Sequence, residues 1–271
     1  MTNDTVSQAR IVGPESWGPA LDVIVGEGTC REIIGPRIGA TLRSMYVIDL
    51  ATGAATIFLK HAGEAVYYVI DGEITVESST TPTLKVPEGG MIHIRPYTDY
   101  RIVATTDAQL IGGPAPVDLN FGTPAAAVPV PEELGELGVR VFHRDQPGLM
   151  VPMISADARL VVWYGEGAIG ANMNYVVLEP GERNTEHVHR YSEDTIYIVE
   201  GRGTAEDLSN NLILEFGPGD TVHIPPGVIH AISANLGERV VTAGGPCPAD
   251  LDMLRAAGVD VDELTASLEL V

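Results

Sequence analysis

The chain is poor in cysteine and lysine and has no long apolar run. Its 2 cysteines among 271 residues are too few for a disulfide framework. The formal net charge of −21 is scattered, which indicates a solvated surface that would repel the phosphates of nucleic acid. The N-terminus lacks the apolar core of a signal peptide, and no run is long enough to cross a bilayer. These absences predict a cytoplasmic protein with neither a nucleic-acid nor a membrane partner.

Glycine and proline, by contrast, are frequent, with 30 and 19 copies. Between them lie short runs rich in Val, Ile, Thr and Tyr, such as AVYYVI and TIYIVE, which are typical of strands in an all-β fold. Helical periodicity occurs only near residues 131–137 and after Pro248. The sequence therefore predicts an all-β protein with short helices in a linker and at the C-terminus.

The chain also contains an internal repeat. Three segments recur in the same order at offsets of 130 to 132 residues: 65–77 with 195–207, 86–102 with 216–232, and 111–119 with 243–251. This period is far longer than that of a solenoid repeat, so it predicts two copies of one β domain. With the boundary in the proline-rich stretch 122–140, the predicted domains are 1–125 and 126–271.

The second copy carries a cluster of potential metal ligands. In GERNTEHVHRYSEDTIYIVEG, His187 and His189 are two residues apart, so on a strand both side chains face the same way. Glu193 and Asp194 follow, and His230 comes after a Pro-Pro-Gly turn. Imidazole and carboxylate together suit a borderline divalent ion such as Fe, Mn, Ni, Zn or Cu. The second domain is therefore predicted to bind one divalent transition metal.

These segments resemble the two conserved motifs of the cupin superfamily. The first, G-x5-H-x-H-x3–4-E-x6-G, is matched by Gly181, the two histidines and Gly201. The second, G-x5-P-x-G-x2-H-x3-N, is matched by Gly219, Pro225, Gly227 and His230. Together with the repeat, the whole chain resembles a bicupin. The resemblance implies two cupin barrels, each a double-stranded β-helix or jelly roll, with the metal in the second.

The carboxylate ligand departs from the motif. The motif has six residues between its carboxylate and the last glycine, and six residues before Gly201 leave Asp194, not a glutamate, at the carboxylate position. Glu193 is one residue away and would face the opposite side of a regular strand unless a bulge re-aimed it. Asp194 is favoured, with Glu193 or a three-histidine site without a carboxylate as alternatives.

The first copy lacks the metal ligands. By alignment of the repeat, Phe58, Lys60 and Ala65 replace the two strand histidines and the carboxylate, and Tyr100 replaces the last histidine. His61 lies nearby but cannot hold a metal alone. The N-terminal cupin is therefore expected to bind no metal and to act as a structural or dimerising half, in a homodimer.

The reaction is less constrained than the fold. The resemblance favours an Fe(II)-dependent dioxygenase of a small organic substrate. The alternatives are a non-oxidative Mn, Zn or Ni enzyme (an aminohydrolase of the ureidoglycine type, an isomerase or a cyclase) and a non-catalytic binding cupin. Arg183 and Tyr197 are candidate substrate-binding residues. No separate catalytic acid or base is identifiable.

Overall fold

A computed structural model describes residues 7–268, whose regular secondary structure is mainly β-strand. The strands are β1 (Arg10–Val12), β2 (Ile24–Val25), β3 (Gly28–Ile34), β4 (Met45–Leu50), β5 (Ala55–Thr56), β6 (Glu64–Asp71), β7 (Ile74–Glu77), β8 (Leu84–Val86), β9 (Gly90–Ile94), β10 (Arg101–Ala104), β11 (Ala108–Ala115), β12 (Val139–His143), β13 (Leu149–Met150), β14 (Asp157–Val162), β15 (Met173–Leu178), β16 (His187–Val188), β17 (Glu193–Glu200), β18 (Gly203–Asp207), β19 (Leu212–Phe216), β20 (Thr221–Ile224), β21 (Ile229–Ala234) and β22 (Val240–Cys247). Two short helices follow, α1 (Leu251–Ala256) and α2 (Val261–Leu268). Neither is long or apolar enough to cross a bilayer.

The strands form two barrels, each made of a large and a small antiparallel sheet. The first barrel combines the six-stranded sheet β12-β9-β6-β11-β4-β3 with the five-stranded sheet β2-β5-β10-β7-β8. The second combines the seven-stranded sheet β1-β20-β17-β22-β15-β14-β13 with the four-stranded sheet β16-β21-β18-β19. The prediction of an all-β fold with two barrels is confirmed.

The two barrels pack against each other through their large sheets. Because side chains alternate along a strand, each large sheet has one face toward its own barrel interior and one toward the other barrel. Val66 and Tyr68 of β6 share one buried cluster with Tyr175 and Tyr197 of the second half. A separate apolar cluster fills each barrel interior. The interface is therefore a third hydrophobic core, between the two barrels.

The halves also exchange one strand each. Near the N-terminus, β1 pairs with β20 of the second barrel, with Arg10 opposite His223. Reciprocally, β12 pairs with β9 of the first barrel, with Arg140 opposite His93. The division into 1–125 and 126–271 stays a prediction, and these two strands cross it.

The predicted linker helix is absent at residues 131–137, where the chain is irregular. Only a single 3-10 turn, Ala125–Ala127, lies in the linker. Glu132, Glu133 and Glu136 are exposed, so a helix here would bury no apolar face, and a short unpacked helix is marginal in water. The C-terminal helices α1 and α2 are confirmed, and they do pack against the second barrel.

Candidate metal centre

Three histidines and one aspartate converge inside the second barrel. His187 on β16 lies directly opposite His230 on β21, in the small sheet. His189 follows β16, and Asp194 projects from β17 in the large sheet. One donor atom from each of the four side chains lies within 4.8 Å of the others. The cluster therefore joins both sheets of the barrel.

All three imidazoles present Nδ1 to an oxygen acceptor. The pairs are His187 with the Thr185 carbonyl at 2.8 Å, His230 with the Val228 carbonyl at 3.0 Å, and His189 with the Asp250 carboxylate at 2.5 Å. An Nδ1–H that donates outward fixes the tautomer in which Nε2 keeps its lone pair. Three Nε2 lone pairs are thereby available to one cation.

The cluster is not satisfied by its own hydrogen bonds. Asp194 Oδ2 lies 3.6 Å from His189 Nε2 and 3.7 Å from His230 Nε2, too far for a good hydrogen bond. Asp194 Oδ1 and His230 Nε2 are buried and have no partner within the described residues. Buried polar atoms are normally paired, and a cation would pair both. The four side chains thus fit a divalent metal ion bound by nitrogen and oxygen.

The electrostatics of the cluster also favour a cation. Burial alone would raise the pKa of Asp194, but His189 and His230 hold it well below its usual range. Burial would lower the pKa of His189, yet Asp194 and Asp250 outweigh it and raise that pKa to about 9. Burial and the neighbouring histidines lower the pKa of His187 to about 4. Asp194 and Asp250 therefore stabilise a positive charge at His189. A bound metal ion would supply that charge in place of the proton.

The Pro-Gly turn predicted before His230 helps to position both His189 and His230. Gly227 has φ of +84°, a left-handed conformation that glycine adopts without strain. Its N–H donates to the His189 carbonyl at 2.8 Å. The turn that starts β21 therefore also holds the end of β16, so His189 and His230 are positioned together.

Glu193 lies on the opposite face of β17 from Asp194, as strand alternation requires. Its carboxylate accepts backbone N–H groups from the first half: Thr41 at 3.0 Å, Leu42 at 2.9 Å and Arg43 at 3.2 Å. Glu193 is thus placed between the barrels and is not part of the histidine cluster.

The two candidate substrate-binding residues also lie away from the cluster. Arg183 is engaged at the surface by Glu206 at 2.7 Å and Glu186 at 3.0 Å. Tyr197 shares the outward face of β17 with Glu193 and packs in the interface core. Neither side chain lines the cavity that contains the histidines.

That cavity is small and mostly apolar. Its volume is about 60 Å³, and the side chains beside the ligands include Val151, Ile154, Leu160, Val176, Ile232 and Met253. Asn174, also in the lining, is 8% exposed, and its amide makes no hydrogen bond to any other described residue. At about 30 Å³ for each water, this volume corresponds to roughly two water molecules. The cavity therefore suits a small molecule.

Sequence reasoning missed Asp250 and Asn174. Asp250 had a signal, because the repeated segments 111–119 and 243–251 both contain an aspartate, Asp118 and Asp250, at the same position. Asn174 had no such signal. The sequence alone does not show whether a single asparagine in a strand faces the barrel interior or the solvent.

The first barrel differs from the repeat alignment by one residue. Leu59 pairs with Tyr100 in the way that His187 pairs with His230. Leu59, rather than Phe58, therefore occupies the place of His187. Two residues further on, His61 rather than Lys60 takes the place of His189. The turn before β6 accommodates the one-residue shift, which an alignment anchored on the later glycine could not detect.

His61 is held by a buried hydrogen-bond chain. Its Nδ1 donates to Asp118 at 2.7 Å, and its Nε2 lies 2.8 Å from the Tyr100 hydroxyl. The Tyr100 hydroxyl lies 2.5 Å from that of Tyr67. The first barrel thus retains the aspartate–histidine pair but closes it with two phenols.

Two antiparallel barrels in one chain, with a three-histidine and aspartate cluster inside one of them, define a bicupin. A model of the cupin domain matches residues 174–243. Residues 174–243 are thus a cupin domain, and the chain as a whole has the fold of a bicupin, as its motifs predict.

Two curated relatives match parts of the chain. It is 27% identical over 155 residues to germin-like protein subfamily T member 3 of Arabidopsis thaliana, a match covering 56% of this chain and 62% of that protein. It is 28% identical over 109 residues to quercetin 2,3-dioxygenase of Bacillus subtilis, covering 40% of this chain and 28% of that protein. The chain thus spans less than two thirds of the length of these relatives.

The fold is similar to solved structures of Bacillus subtilis oxalate decarboxylase. One, a mutant form, superposes with a TM-score of 0.67 at 17% identity, covering 91% of this chain and 78% of that chain. The form studied at pH 4.6 gives a TM-score of 0.65 at 16% identity, covering 91% and 77%. At this identity the likeness shows a shared bicupin fold.

Proposed function

We propose that the protein is a mononuclear metal enzyme whose second barrel binds one divalent ion through His187, His189, Asp194 and His230. We further propose that the ion is Fe(II) and that the reaction is the dioxygenation of a small organic substrate. The carrying observation is the convergence of four donors, two of them with unpaired buried atoms, at a small apolar cavity.

Beside the proposed ligands, the described part of the cavity wall provides no side chain that could act as a catalytic acid or base. Apart from the three proposed ligands that line it, His187, His189 and Asp194, its described lining is apolar or carries amides and a hydroxyl, with no acid, base or cationic side chain. A divalent ion held by His187, His189, Asp194 and His230 would supply Lewis-acid or redox chemistry toward a substrate oxygen and O₂. The protein contributes fixed donors and walls that exclude water.

The rest of the lining would select and orient the substrate. Leu160, Val176 and Met253 offer apolar contact to a carbon skeleton, and the unpaired Asn174 amide offers one hydrogen bond. Together with the small volume, this favours a compact molecule with a metal-chelating oxygen pair.

The similar proteins support a metal enzyme without fixing the metal. One curated relative is named as a quercetin dioxygenase, and one matching structure concerns the Mn(II) centres of oxalate decarboxylase. These names favour oxygen chemistry and manganese respectively. Iron, manganese and the other divalent ions therefore belong in the same experiment.

The test is oxygen uptake by protein stripped of metal and reloaded with Fe(II), Mn(II), Ni(II), Zn(II) or Cu(II), over a panel of small enols, catechols and hydroxy acids. We expect uptake that depends on Fe(II) and is lost in His230→Ala. His143→Ala, which removes a histidine outside the cluster, is the matched control and retains uptake. Turnover under strict anaerobiosis with Mn(II), Ni(II) or Zn(II) would replace the dioxygenase with a non-oxidative metal enzyme.

A further inference from the structure

Asp250 makes two different connections with its two carboxylate oxygens. Oδ2 accepts the Nδ1–H of His189 at 2.5 Å. Oδ1 accepts the backbone N–H groups of Asp252 at 2.9 Å and Met253 at 3.1 Å, so Asp250 is the N-cap of α1. One side chain therefore joins a proposed metal ligand to the start of the C-terminal helices.

The segment that Asp250 caps forms part of the cavity wall. Met253 on α1 lines the cavity beside the histidines. Leu254 of α1 and Val261 of α2 pack with Val151 and Leu160, on the same side of the barrel. If α1 moved away, the cavity would lose a wall.

We propose that Asp250 is a positioning residue for His189, and that it couples metal binding to the docking of α1 over the cavity. The proposal rests on the proposed metal site. The carboxylate holds His189 in the tautomer that presents the Nε2 lone pair, and a histidine fixed by metal in turn holds the carboxylate that caps α1. Coupling of this kind is reciprocal, so each event favours the other.

The first barrel provides a matched comparison. Asp118 uses its two oxygens in the same way, accepting from His61 Nδ1 at 2.7 Å and from the Asn120 N–H at 2.8 Å. It occupies the same place in the repeat, but its histidine meets a tyrosine instead of three further donors. A substitution at Asp118 therefore repeats the chemical change at Asp250 without touching the metal cluster.

Two substitutions separate the connections of Asp250. In Asp250→Ser the hydroxyl still caps the helix but is too short to reach the imidazole. In Asp250→Asn the amide oxygen caps the helix, which turns the amide N–H toward His189 Nδ1 and favours the wrong tautomer. If capping alone mattered, both variants would behave like the unmodified protein.

The first measurement is Co(II) binding, with the ion itself as the probe, followed through its visible spectrum. We expect both Asp250 variants to bind Co(II) about 10- to 100-fold more weakly, as found when a partner of a ligating histidine is removed. Their spectra should change, whereas Asp118→Ser should match the unmodified protein in affinity and spectrum. Unchanged affinity in both Asp250 variants would overturn the positioning role.

The second measurement begins with the unmodified protein, and that part of it does not depend on a variant folding. Hydrogen exchange of the α1 amides is compared with and without Co(II) in the unmodified protein, then in Asp250→Ser. We expect Co(II) to slow exchange in α1 several-fold in the unmodified protein but not in the variant. Exchange in α1 that ignores Co(II) would overturn the coupling.

These outcomes are distinguishable from a failure of the proposed reaction. Co(II) binding and exchange that behave as expected, without Fe(II)-dependent oxygen uptake, would leave the coupling standing and remove the dioxygenase. Absence of Co(II) binding by the unmodified protein would overturn both.

Discussion

The two barrels share a fold and an aspartate–histidine pair, and they differ in how that histidine is satisfied. In the second barrel, His189 lies in a cluster with an aspartate and two further histidines, whose donor atoms are all within 4.8 Å of one another. In the first, His61 meets the Tyr100 hydroxyl, which meets that of Tyr67. The comparison teaches that the same buried aspartate–histidine pair can face either a cluster of further metal-binding side chains or a pair of phenols.

The difference lies in three positions. His187, Asp194 and His230 of the second barrel correspond to Leu59, Ala65 and Tyr100 of the first. Each replacement in the first barrel is buried, and Tyr100 closes the polar chain that the histidine begins. Burial keeps the pKa of Tyr100 well above its usual range, so its hydroxyl remains a proton donor. The side chains of the first barrel thus satisfy its buried imidazole by hydrogen bonds among themselves.

The largest expected effect is loss of the metal in His189→Ala. Without this donor the remaining three cannot enclose the ion, and Asp194 loses its partner at 3.6 Å. Elemental analysis of protein purified without added metal should show near-stoichiometric metal in the unmodified protein and a small fraction in the variant.

The corresponding change in the first barrel, His61→Ala, should leave the metal content unchanged. It would leave a cavity and remove one hydrogen-bond partner each from the buried Tyr100 hydroxyl and from Asp118, so the free energy of unfolding should fall by about 2–4 kcal/mol. Urea denaturation measures this. Equal metal in His189→Ala and the unmodified protein would show that the second barrel is not the metal site.

A second metal should be gained by rebuilding the first barrel. The triple substitution Leu59→His, Ala65→Asp and Tyr100→His gives His61 the three donors it lacks, on strands with the pairing of the second barrel. We expect the metal content to rise from one to two equivalents per chain, with a stability that depends on the metal.

The matched control for that design is the same triple change with His61→Ala. It should return the metal content to one equivalent, because the histidine held by Asp118 is then missing. A rebuilt protein that folds, as judged by circular dichroism, but still holds one equivalent would show that the two barrels differ by more than these three positions.

Features that depend on residues close together in the sequence could be predicted, and features that depend on distant segments could not. The two histidines at strand spacing, the turn before His230 and the repeat are local patterns, so the barrels and the ligand cluster could be predicted. The one-residue shift that brings Leu59 and His61 into place is a tertiary adjustment in a turn. The roles of Glu193 and Asp250 depend on segments about 150 and 60 residues away.

The smallest expected effect concerns a feature that the two halves share. Glu193 accepts N–H groups of residues 41–43, and Glu64 accepts those of Ile169, Gly170 and Ala171. Each carboxylate is thus hydrogen-bonded to a loop of the opposite barrel. Glu193→Gln and Glu64→Gln should each lower the free energy of unfolding by about 1.5–3 kcal/mol, since a neutral amide accepts these bonds more weakly. Metal content should stay unchanged in both, and its loss in Glu193→Gln alone would make Glu193 a ligand.

The pH dependence sharpens the same test. Burial alone would raise the pKa of Glu193, but His223 and the N–H groups of Leu42 and Thr41 lower it. The pKa of Glu64 is lowered against burial in the same way, by His93 and the N–H groups it accepts. A carboxyl whose pKa is lower in the folded than in the unfolded chain stabilises the fold above about pH 4.3, and that contribution is lost as the pH falls toward the folded value. Denaturation measured from pH 7 to pH 3 should therefore show a shallower loss of stability in each glutamine variant than in the unmodified protein. Parallel curves would mean that the carboxylates are not what joins the two barrels, and that the apolar interface does so alone.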